Sequence, residues 1–407
     1  MSNKQYDSNV LRRVASADMC AGCGGCAAVA PAQIDMEMSG KGWLRPVQHA
    51  PISADAEARI AEFCPGHRMT LDAKARPDHR LWGPVIRART GYASDPNLRH
   101  QGSSGGVISA IATYLLASRE ADIVLQNHAS ADNPVGNEPM RSLSEADVFG
   151  AAGSRYYPSA PLAGLNDALD TRKKIAFVGK PCDVAALRGM AKNDPRINEY
   201  VVIAISFFCA GVPSHAGAME LLDTMGTSPD EIAAFRYRGD GWPGYATAQL
   251  KDGTKRSKSY SESWGSVLSR HIQKRCKLCP DGTGGFADLV CADAWETDAD
   301  GYPLFEEREG ISLILSRTPP GEALIRRAVQ AQAINVADFD AEQIAPMQPG
   351  QVRKRQFLLS RLLAMRVLFR KTPYFRGFHL AANARRAGWK ANLRQFAGMS
   401  FRELTRR

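Results

Sequence analysis

"KIAFVGKPCDVAALRGM" (residues 174–190) is the stretch of sequence that decides the fold class. Its first part, KIAFVG, is a short apolar run that predicts a buried strand. Its second part, from Asp183 onward, predicts a helix. A strand followed directly by a helix is the repeating unit of folds in which helices cover a parallel sheet.

The same alternation continues along the chain from Val85 to about residue 345. Further predicted strands are VIRARTGYA, DIVLQ, VVIAIS and SLILS, and further predicted helices are GGVISAIATYLLAS and GEALIRRAVQAQ. We therefore predict an α/β fold with a mostly parallel sheet. Residues 235–260 have an antiparallel pattern, which adds an α+β element.

The chain has 407 residues, a length that predicts two or three domains. A cysteine-rich segment spans residues 1–82 and ends in the linker ARPDHRLWGP, the α/β segment spans 83–345, and a basic helical extension spans 346–407. The first residues are polar and the longest apolar run is about a dozen residues, so we expect a cytoplasmic protein. In that reducing compartment, nine cysteines indicate ligands or reactive thiols rather than disulfides.

The positive charge is concentrated at the C-terminal end. Residues 351–407 contain 15 Lys or Arg and one acid, Glu403, a net charge of +14, whereas residues 1–350 contain 37 bases and 41 acids, a net charge of −4. Such an extension suits an acidic electron carrier such as ferredoxin, or peripheral contact with an anionic membrane. We do not expect a nucleic-acid partner, although the charge alone would suit phosphates. The alternative is that these helices cap the core with a solvated basic face.

The segment CAGCGGCAAVAP (residues 20–31) has a cysteine spacing that predicts an iron–sulfur cluster. In bacterial ferredoxins the run continues x3-C-P, and that last cysteine binds the other cluster of a pair. Here that position is Ala30, so we predict that the fourth ligand comes from the distant Cys64-Pro65. We call Cys20, Cys23, Cys26 and Cys64 the first quartet and predict that it holds one 4Fe-4S cluster. A zinc knuckle is the alternative.

A second set of cysteines consists of the C-x2-C pair Cys276 and Cys279 and two single residues, Cys182 and Cys209. The single residues follow predicted strands, at the sheet edge where α/β folds carry their sites. We call these four the second quartet, and they could hold a second 4Fe-4S cluster. Alternatively, Cys182 is a nucleophile at a helix N-terminus, and Cys209 is a core thiol. Cys291 is expected in the core or in a pocket wall.

A glycine-rich loop precedes the apolar helix GGVISAIATYLLAS. It consists of Gly102, Ser103, Ser104, Gly105 and Gly106. Free backbone N–H groups and hydroxyls at a helix start suit a phosphate or the polar edge of a ring. A plain helix cap with glycines for packing is the alternative.

The ordered series CAGCGGC, QGSSGGV, GSRYYPS, VGKPCDVAALR, FFCAGVPS, FRYRGDGW, CKLCPD and ADLVCADAW resembles the coenzyme F420 hydrogenase/dehydrogenase beta-subunit family, over about residues 18–300. That family includes deazaflavin-reducing subunits and ferredoxin-dependent reductases of chlorophyll intermediates. The resemblance implies FAD beside two 4Fe-4S clusters, with the second quartet binding the cluster near the flavin. It makes residues 1–82 a ferredoxin-like iron–sulfur module and 83–345 a flavin-binding domain.

The resemblance also implies which residues contact the flavin. They are the loop from Gly102 to Gly106, Ser154 and Tyr156 in GSRYYPS, and Arg236, Arg238, Asp293 and Trp295. The alternative for each arginine is a solvated surface charge. Two features depart from the family: Ala30 interrupts the full cysteine run of many relatives, and the basic extension lies beyond the family motifs.

The main functional prediction is an oxidoreductase that couples a one-electron carrier, through the clusters and FAD, to a small-molecule substrate that takes two electrons. The sequence indicates no catalytic acid or base. One alternative is an electron-transferring subunit of a larger dehydrogenase complex, with no substrate of its own. Another is a zinc-containing protein that binds nucleic acid or a membrane surface.

Overall fold

A sheet of eight strands forms the centre of the protein, in a computed structural model that describes residues 6–73, 76–296, 304 and 306–405. The N-terminal segment lies against it and combines three helices, a two-stranded antiparallel hairpin and one short strand. These elements are α1 (Asn9–Ala17), α2 (Gly25–Val29), β1 (Ile34–Met38), β2 (Leu44–Gln48), α3 (Ala54–Phe63) and β3 (Arg68–Thr70). The ferredoxin-like iron–sulfur role of this segment stays a prediction.

The central segment contains most of the strands and the helices that cover them. Its strands are β4 (Asp78–His79), β5 (Gly83–Pro84), β6 (Arg87–Ala93), β7 (Ile123–Ala129), β8 (Asn137–Ser142), β9 (Ile175–Val178), β10 (Val201–Phe207), β11 (Ile232–Arg236), β12 (Ala246–Leu250), β13 (Lys255–Lys258), β14 (Leu289–Asp293), β15 (Ser312–Ser316) and β16 (Ile334–Phe339). Its helices are α4 (Pro96–Gln101), α5 (Val107–Ala117), α6 (Glu145–Gly150), α7 (Leu165–Leu169), α8 (Pro181–Met190), α9 (Pro195–Tyr200), α10 (His215–Met225), α11 (Lys274–Lys277), α12 (Pro319–Gln330) and α13 (Ile344–Met347).

The large sheet has the strand order β16-β6-β15-β14-β10-β9-β7-β8. Only its centre is parallel: β14 pairs with β10, β10 with β9, and β9 with β7 in that sense. The other four pairings are antiparallel. The prediction of a mostly parallel sheet is therefore wrong, because hairpin and return connections place antiparallel strands on both flanks. The α/β class and the antiparallel character of residues 235–260, which form β11, β12 and β13, are confirmed.

Each predicted strand and helix of the central segment is present, with ends shifted by at most a few residues. The strand KIAFVG is β9 and is buried along its whole length. Apolar side chains fill both faces of the sheet, with Phe177 on one face and Ile205 on the other. Burial on both faces explains why these strands are continuous apolar runs rather than alternating ones.

The C-terminal extension is helical, as predicted, and it also packs against and pairs with the rest of the protein. Its elements are α14 (Pro349–Val367), β17 (Tyr374–Arg376), α15 (Leu380–Ala387) and α16 (Trp389–Thr405). Strand β17 pairs with β3 of the N-terminal segment, and α14 buries Leu358, Leu362 and Met365 in the main core. The extension thus packs against both other segments.

Candidate functional site

A cleft opens at the carboxyl ends of the central strands, next to the N-terminus of α5. Its cavity volume is about 240 Å³, and it is partly open to solvent. The carboxyl edge of parallel strands is where α/β sheets place their ligands. The predicted site residues that line the cleft are Gly102, Ser103, Ser104, Gly106, Ser154, Tyr156, Arg238 and Asp293.

The glycine-rich loop is folded tightly on itself before α5 begins. Gly106 caps the helix with φ of 71°, a left-handed conformation, and a Cβ atom there would lie 2.5 Å from the carbonyl oxygen of Leu98. Only glycine meets both requirements. The Ser104 hydroxyl bonds to the carbonyl oxygens of Ile311, at 3.1 Å, and Ala292, at 3.3 Å. The loop is therefore anchored to the sheet edge and presents backbone groups and the Ser103 side chain to the cleft.

A buried ion pair forms one wall of the cleft. The Arg238 guanidinium donates to both carboxylate oxygens of Asp293, at 2.9 and 2.7 Å, and the indole N–H of Trp242 donates to the same carboxylate at 2.9 Å. Burial alone would lower the pKa of Arg238, but the Asp293 charge outweighs it and raises the pKa. The interpretation of Arg238 as a solvated surface charge is therefore wrong.

The remaining predicted flavin contacts lie at different distances from the cleft. Ser154 reaches the loop, since its hydroxyl lies 2.6 Å from that of Ser103. Gly105 lies behind the loop, where its N–H donates to Ser312. Arg236 is partly exposed, donates to the carbonyl oxygen of Gln101 at 3.2 Å and pairs with Asp240. Trp295 stacks on Trp242 and lies beneath the Arg238 guanidinium, so Gly105, Arg236 and Trp295 support the wall rather than line it.

The second quartet converges at one end of the cleft. Cys182 is the second residue of α8, Cys209 follows β10, and all four cysteines line one small recess together with Gln273 and Lys354. Gly211, with φ of 145°, allows close packing of this segment on the residues before α11, because a Cβ atom there would lie 2.3 Å from Ile272. Cys209 lines both the recess and the cleft, so it is common to the two sites.

Burial bears on the alternatives for these thiols. It raises the pKa of Cys182 well above the ordinary value, the opposite of what a helix-activated nucleophile needs. Burial and the neighbouring Cys276 raise the pKa of Cys209 to about 12. Cys291 is buried in β14 and also lines the cleft, as predicted for a core or pocket-wall thiol.

The first quartet also comes together, between the start of α2 and the end of α3. Cys23 and Cys26 interact electrostatically with Cys20 and Cys64, and burial and Cys20 raise the pKa of Cys64 to about 11. Burial and mutual proximity favour the neutral thiol form of Cys23, Cys26 and Cys64, so a metal cluster bound here would displace their protons. The donor set, four sulfurs and no nitrogen or oxygen, fits a 4Fe-4S cluster.

Within the described part of the chain, no three His, Cys, Asp or Glu side chains are positioned to hold a metal ion. Four cysteines can hold either a zinc ion or a 4Fe-4S cluster, so the zinc knuckle stays the alternative for the first quartet.

Short contacts join the two quartets and the cleft. The Gln273 amide donates weakly to the carbonyl oxygen of Ala21 and to Cys276 Sγ, both at 3.5 Å, and so links the segments of both quartets. Asp183, fully buried beside Cys182, also acts electrostatically on Cys23. Its carboxylate lies 2.8 Å from the Lys180 ammonium, which donates to Ser159 on the cleft wall.

Sequence reasoning missed several residues of the cleft wall, among them Asn127, Ser159, Lys180 and Trp264. Ser159 and Lys180 belong to or adjoin motifs that already stood out, GSRYYPS and VGKPCDVAALR. Lys180 could have been found from its place between a buried strand and Cys182. Asn127 lies near the end of a strand with no other signal.

Comparison with known proteins gives a consistent result. Two family models of the coenzyme F420 hydrogenase/dehydrogenase beta subunit match, the N-terminal one over residues 88–166 and the C-terminal one over residues 172–342. Among curated proteins, the chain is 26% identical over 269 residues to the coenzyme F420 hydrogenase subunit beta of Methanococcus voltae, covering 64% of this chain and 86% of that protein. It is 25% identical over 256 residues to the F420-dependent formate dehydrogenase subunit beta of Methanocaldococcus jannaschii, covering 60% and 65%.

A solved structure has a similar fold. A chain of the F420-reducing [NiFe] hydrogenase complex from Methanosarcina barkeri superimposes with a TM-score of 0.56 at 17% identity, covering 73% of this chain and 98% of that one. Residues 343–407 lie outside both matched family ranges.

Proposed function

Because the chain belongs to the coenzyme F420 hydrogenase/dehydrogenase beta-subunit family, we propose that it is an electron-transferring subunit of a larger oxidoreductase complex. In this proposal the first quartet and the second quartet each hold a 4Fe-4S cluster, and the cleft holds FAD. The observation that carries the proposal is the order of these sites: Gln273 links the segments of the two quartets, and Cys209 belongs to both the second quartet and the cleft wall.

The residues of the cleft suit a flavin dinucleotide. The loop before α5 offers free N–H groups and the Ser103 hydroxyl, which suit the phosphates. The ion pair of Arg238 and Asp293 fixes one wall, with Trp242 and Trp295 stacked behind it. Bound FAD would supply the exchange between single electrons and a hydride. The chain's own residues bind the flavin, exclude water and keep it next to Cys209.

Lys180 has a distinct role in this proposal. Its ammonium is nearly fully buried, pairs with Asp183 and reaches the cleft wall through Ser159. The carboxylate raises the pKa of Lys180 against the effect of burial, so the side chain carries a positive charge. Because the Asp183 carboxylate lies 2.8 Å away, the pair is close to neutral as a whole, and its ammonium end, which lies at the cleft wall beside Ser159, is the part that favours an electron-rich group in the cleft.

The names of the relatives support the subunit role over a self-standing enzyme, since they are subunits of a hydrogenase and a formate dehydrogenase. They also make coenzyme F420 the first two-electron partner to test. A self-standing ferredoxin-dependent reductase is the second candidate, because the basic extension would suit an acidic carrier.

The test uses the full chain purified without oxygen. We expect reduced ferredoxin, or a viologen, to bleach the flavin absorption of the chain. We expect no sustained reduction of coenzyme F420 by H2 or formate until the catalytic subunit of a hydrogenase or a formate dehydrogenase from the same source is added. Sustained reduction of a small molecule by the lone chain with reduced ferredoxin would favour the second candidate. A chain without flavin would contradict both.

A further inference from the structure

The outer face of α16 carries large apolar side chains in solvent. Trp389, Leu393, Ala397, Phe401 and Leu404 are all exposed, with Trp389 at 72% and Phe401 at 68%. Their spacing of four, four, four and three residues places them on one stripe of the helix. We call these five residues the α16 stripe.

The stripe is a separate surface from the face by which α16 is held to the protein. On the packed face, Asn392 accepts from Ser360, Gln395 accepts from Arg361, and Met399 is buried. Glu403 pairs with Lys274 at 2.7 Å. At 100° per residue, the packed face lies roughly 120° around the helix from the stripe. The helix therefore has two separate faces. One packs against the rest of the protein, and the α16 stripe lies in solvent.

More exposed apolar groups lie at the end of the neighbouring helix α14. Leu363 and Val367 are exposed on its last turns, and Phe369, in the turn that follows, is 96% exposed. Single exposed apolar residues are common, but a run of them on adjacent helices marks an interaction surface. Helices α14 and α16 pack along each other, so both sets belong to the same end of the protein.

The exposed charges that the extension itself carries around these residues are positive. Exposed bases on the extension are Arg353, Arg366, Arg370, Lys371, Arg376, Arg385, Arg386, Lys390, Arg394 and Arg402. The only acid in residues 351–407 is Glu403, which is buried in its pair with Lys274. The described part of the extension therefore exposes cations and apolar side chains and no carboxylate of its own, and one exposed acid of another segment, Asp78, contacts His379 at 2.7 Å.

We propose that the α16 stripe and its flanking bases dock the protein on an anionic lipid surface. An interfacial helix presents apolar residues to the acyl chains and Lys or Arg to the headgroups, with Trp at the boundary. No described helix is long and apolar enough to cross a membrane, so the contact is peripheral. The inference is independent of electron transfer, since the extension lies outside the matched family ranges.

Vesicle flotation with the full chain tests the proposal. The probes are vesicles of phosphatidylcholine alone and of phosphatidylcholine with increasing phosphatidylglycerol. We expect binding that requires the anionic lipid and weakens with salt. Removing Arg385 and Arg386 together, as Arg385→Gln with Arg386→Gln, should weaken binding roughly fivefold for each base. Trp389→Ser with Phe401→Ser should weaken it about tenfold or more.

Matched controls exist elsewhere on the chain. Leu143 is 60% exposed on the central segment, and Arg326 is exposed on α12. Leu143→Ser and Arg326→Gln should leave flotation unchanged. All these side chains lie in solvent, so the variants should fold, which their circular dichroism would verify.

Quenching of tryptophan fluorescence tests whether the α16 stripe itself contacts the acyl chains. Lipids brominated on the acyl chain should quench part of the tryptophan fluorescence of the bound protein, and Trp389→Phe should abolish that quenching while keeping flotation. Absence of binding to anionic vesicles would overturn the proposal. So would equal loss in the control variants, or quenching that survives in Trp389→Phe. Binding of the stripe to an acidic partner protein but to no vesicle would overturn it in favour of a protein interface.

Discussion

Three of the four cysteines of the first quartet lie within seven residues, whereas the second quartet draws its members from three segments between residues 182 and 279. The first quartet is formed by a local turn, α2 and the end of α3. The second requires the carboxyl ends of β9 and β10 and the separate helix α11 to meet. Sequence proximity alone brings three ligands of the first quartet together, whereas every segment of the second quartet depends on the central sheet and α11 for its place.

The largest expected effect is on iron content. We expect about eight irons per chain in the native protein and about four in both Cys64→Ser and Cys182→Ser, because each quartet loses its cluster. Iron analysis after anaerobic purification measures this. Cys291→Ser is the matched control, since Cys291 is buried and lines the cleft but belongs to neither quartet. It should keep all its iron, and a loss there would mean that the quartets are wrongly composed.

Arg355→Met should destabilise the protein because it removes the buried partner of Asp281, which lies next to the second quartet. Arg355 is buried, donates to Thr283 at 2.9 Å and lies 3.7 Å from the buried carboxylate of Asp281, two residues after Cys279. Removing one partner leaves a buried charge unpaired and costs about 3–5 kcal/mol. Urea denaturation measures the change. Arg353→Met, two residues away and exposed, should change stability by at most about 0.5 kcal/mol. Equal effects would contradict this explanation.

Gly25→Ala should affect the first quartet only. A Cβ atom on Gly25 would lie 2.7 Å from the Phe63 ring and 3.2 Å from Met190 Sδ, beside Cys26 and Cys64. Overpacking of this kind costs about 1–3 kcal/mol. We expect part of the iron of the first quartet to be lost and the second quartet to stay intact, as judged by electron paramagnetic resonance. Gly150→Ala, at the end of α6 with open space around it, should be neutral. Loss of both signals in Gly25→Ala would show that the quartets are not independent.

Gln273→Leu should have the smallest effect and acts at the link between the two quartets. The amide donates to Cys276 Sγ, and a donor to sulfur favours the more negative, reduced cluster. Its removal should lower the reduction potential of the second cluster and leave iron content and the potential of the first unchanged. Potentiometric titration measures both. An unchanged second potential, or a rise, would contradict a role for this hydrogen bond.

The elements of the central sheet were predictable because the signal for each is local. Buried strands such as β9 are short apolar runs, and α8 follows directly. Strand β14 was missed because DLVCADAW is interrupted by charged residues whose partners are distant, as Asp293 is from Arg238. The direction of the flanking strands could not be predicted from the sequence either, because it depends on how the connecting segments return to the sheet.

The site divides in the same way. Cys20, Cys23 and Cys26 were recognisable from their spacing alone. The grouping of Cys182 and Cys209 with Cys276 and Cys279 rested on their positions after predicted strands, and the family resemblance strengthened it. The ion pair of Lys180 with Asp183 was not predicted, because adjacent opposite charges on a helix start are usually solvated. Here both side chains are buried, and the pair lies between the second quartet and the cleft wall.

The most direct test of the two-quartet account is an anaerobic reductive titration of the native chain, followed by its absorption spectrum. Two one-electron clusters and one flavin predict about four electron equivalents per chain, of which about two bleach the flavin bands. That result would support both quartets and the cleft as one electron path. Zinc in place of iron, with no flavin and no uptake of electrons, would contradict it.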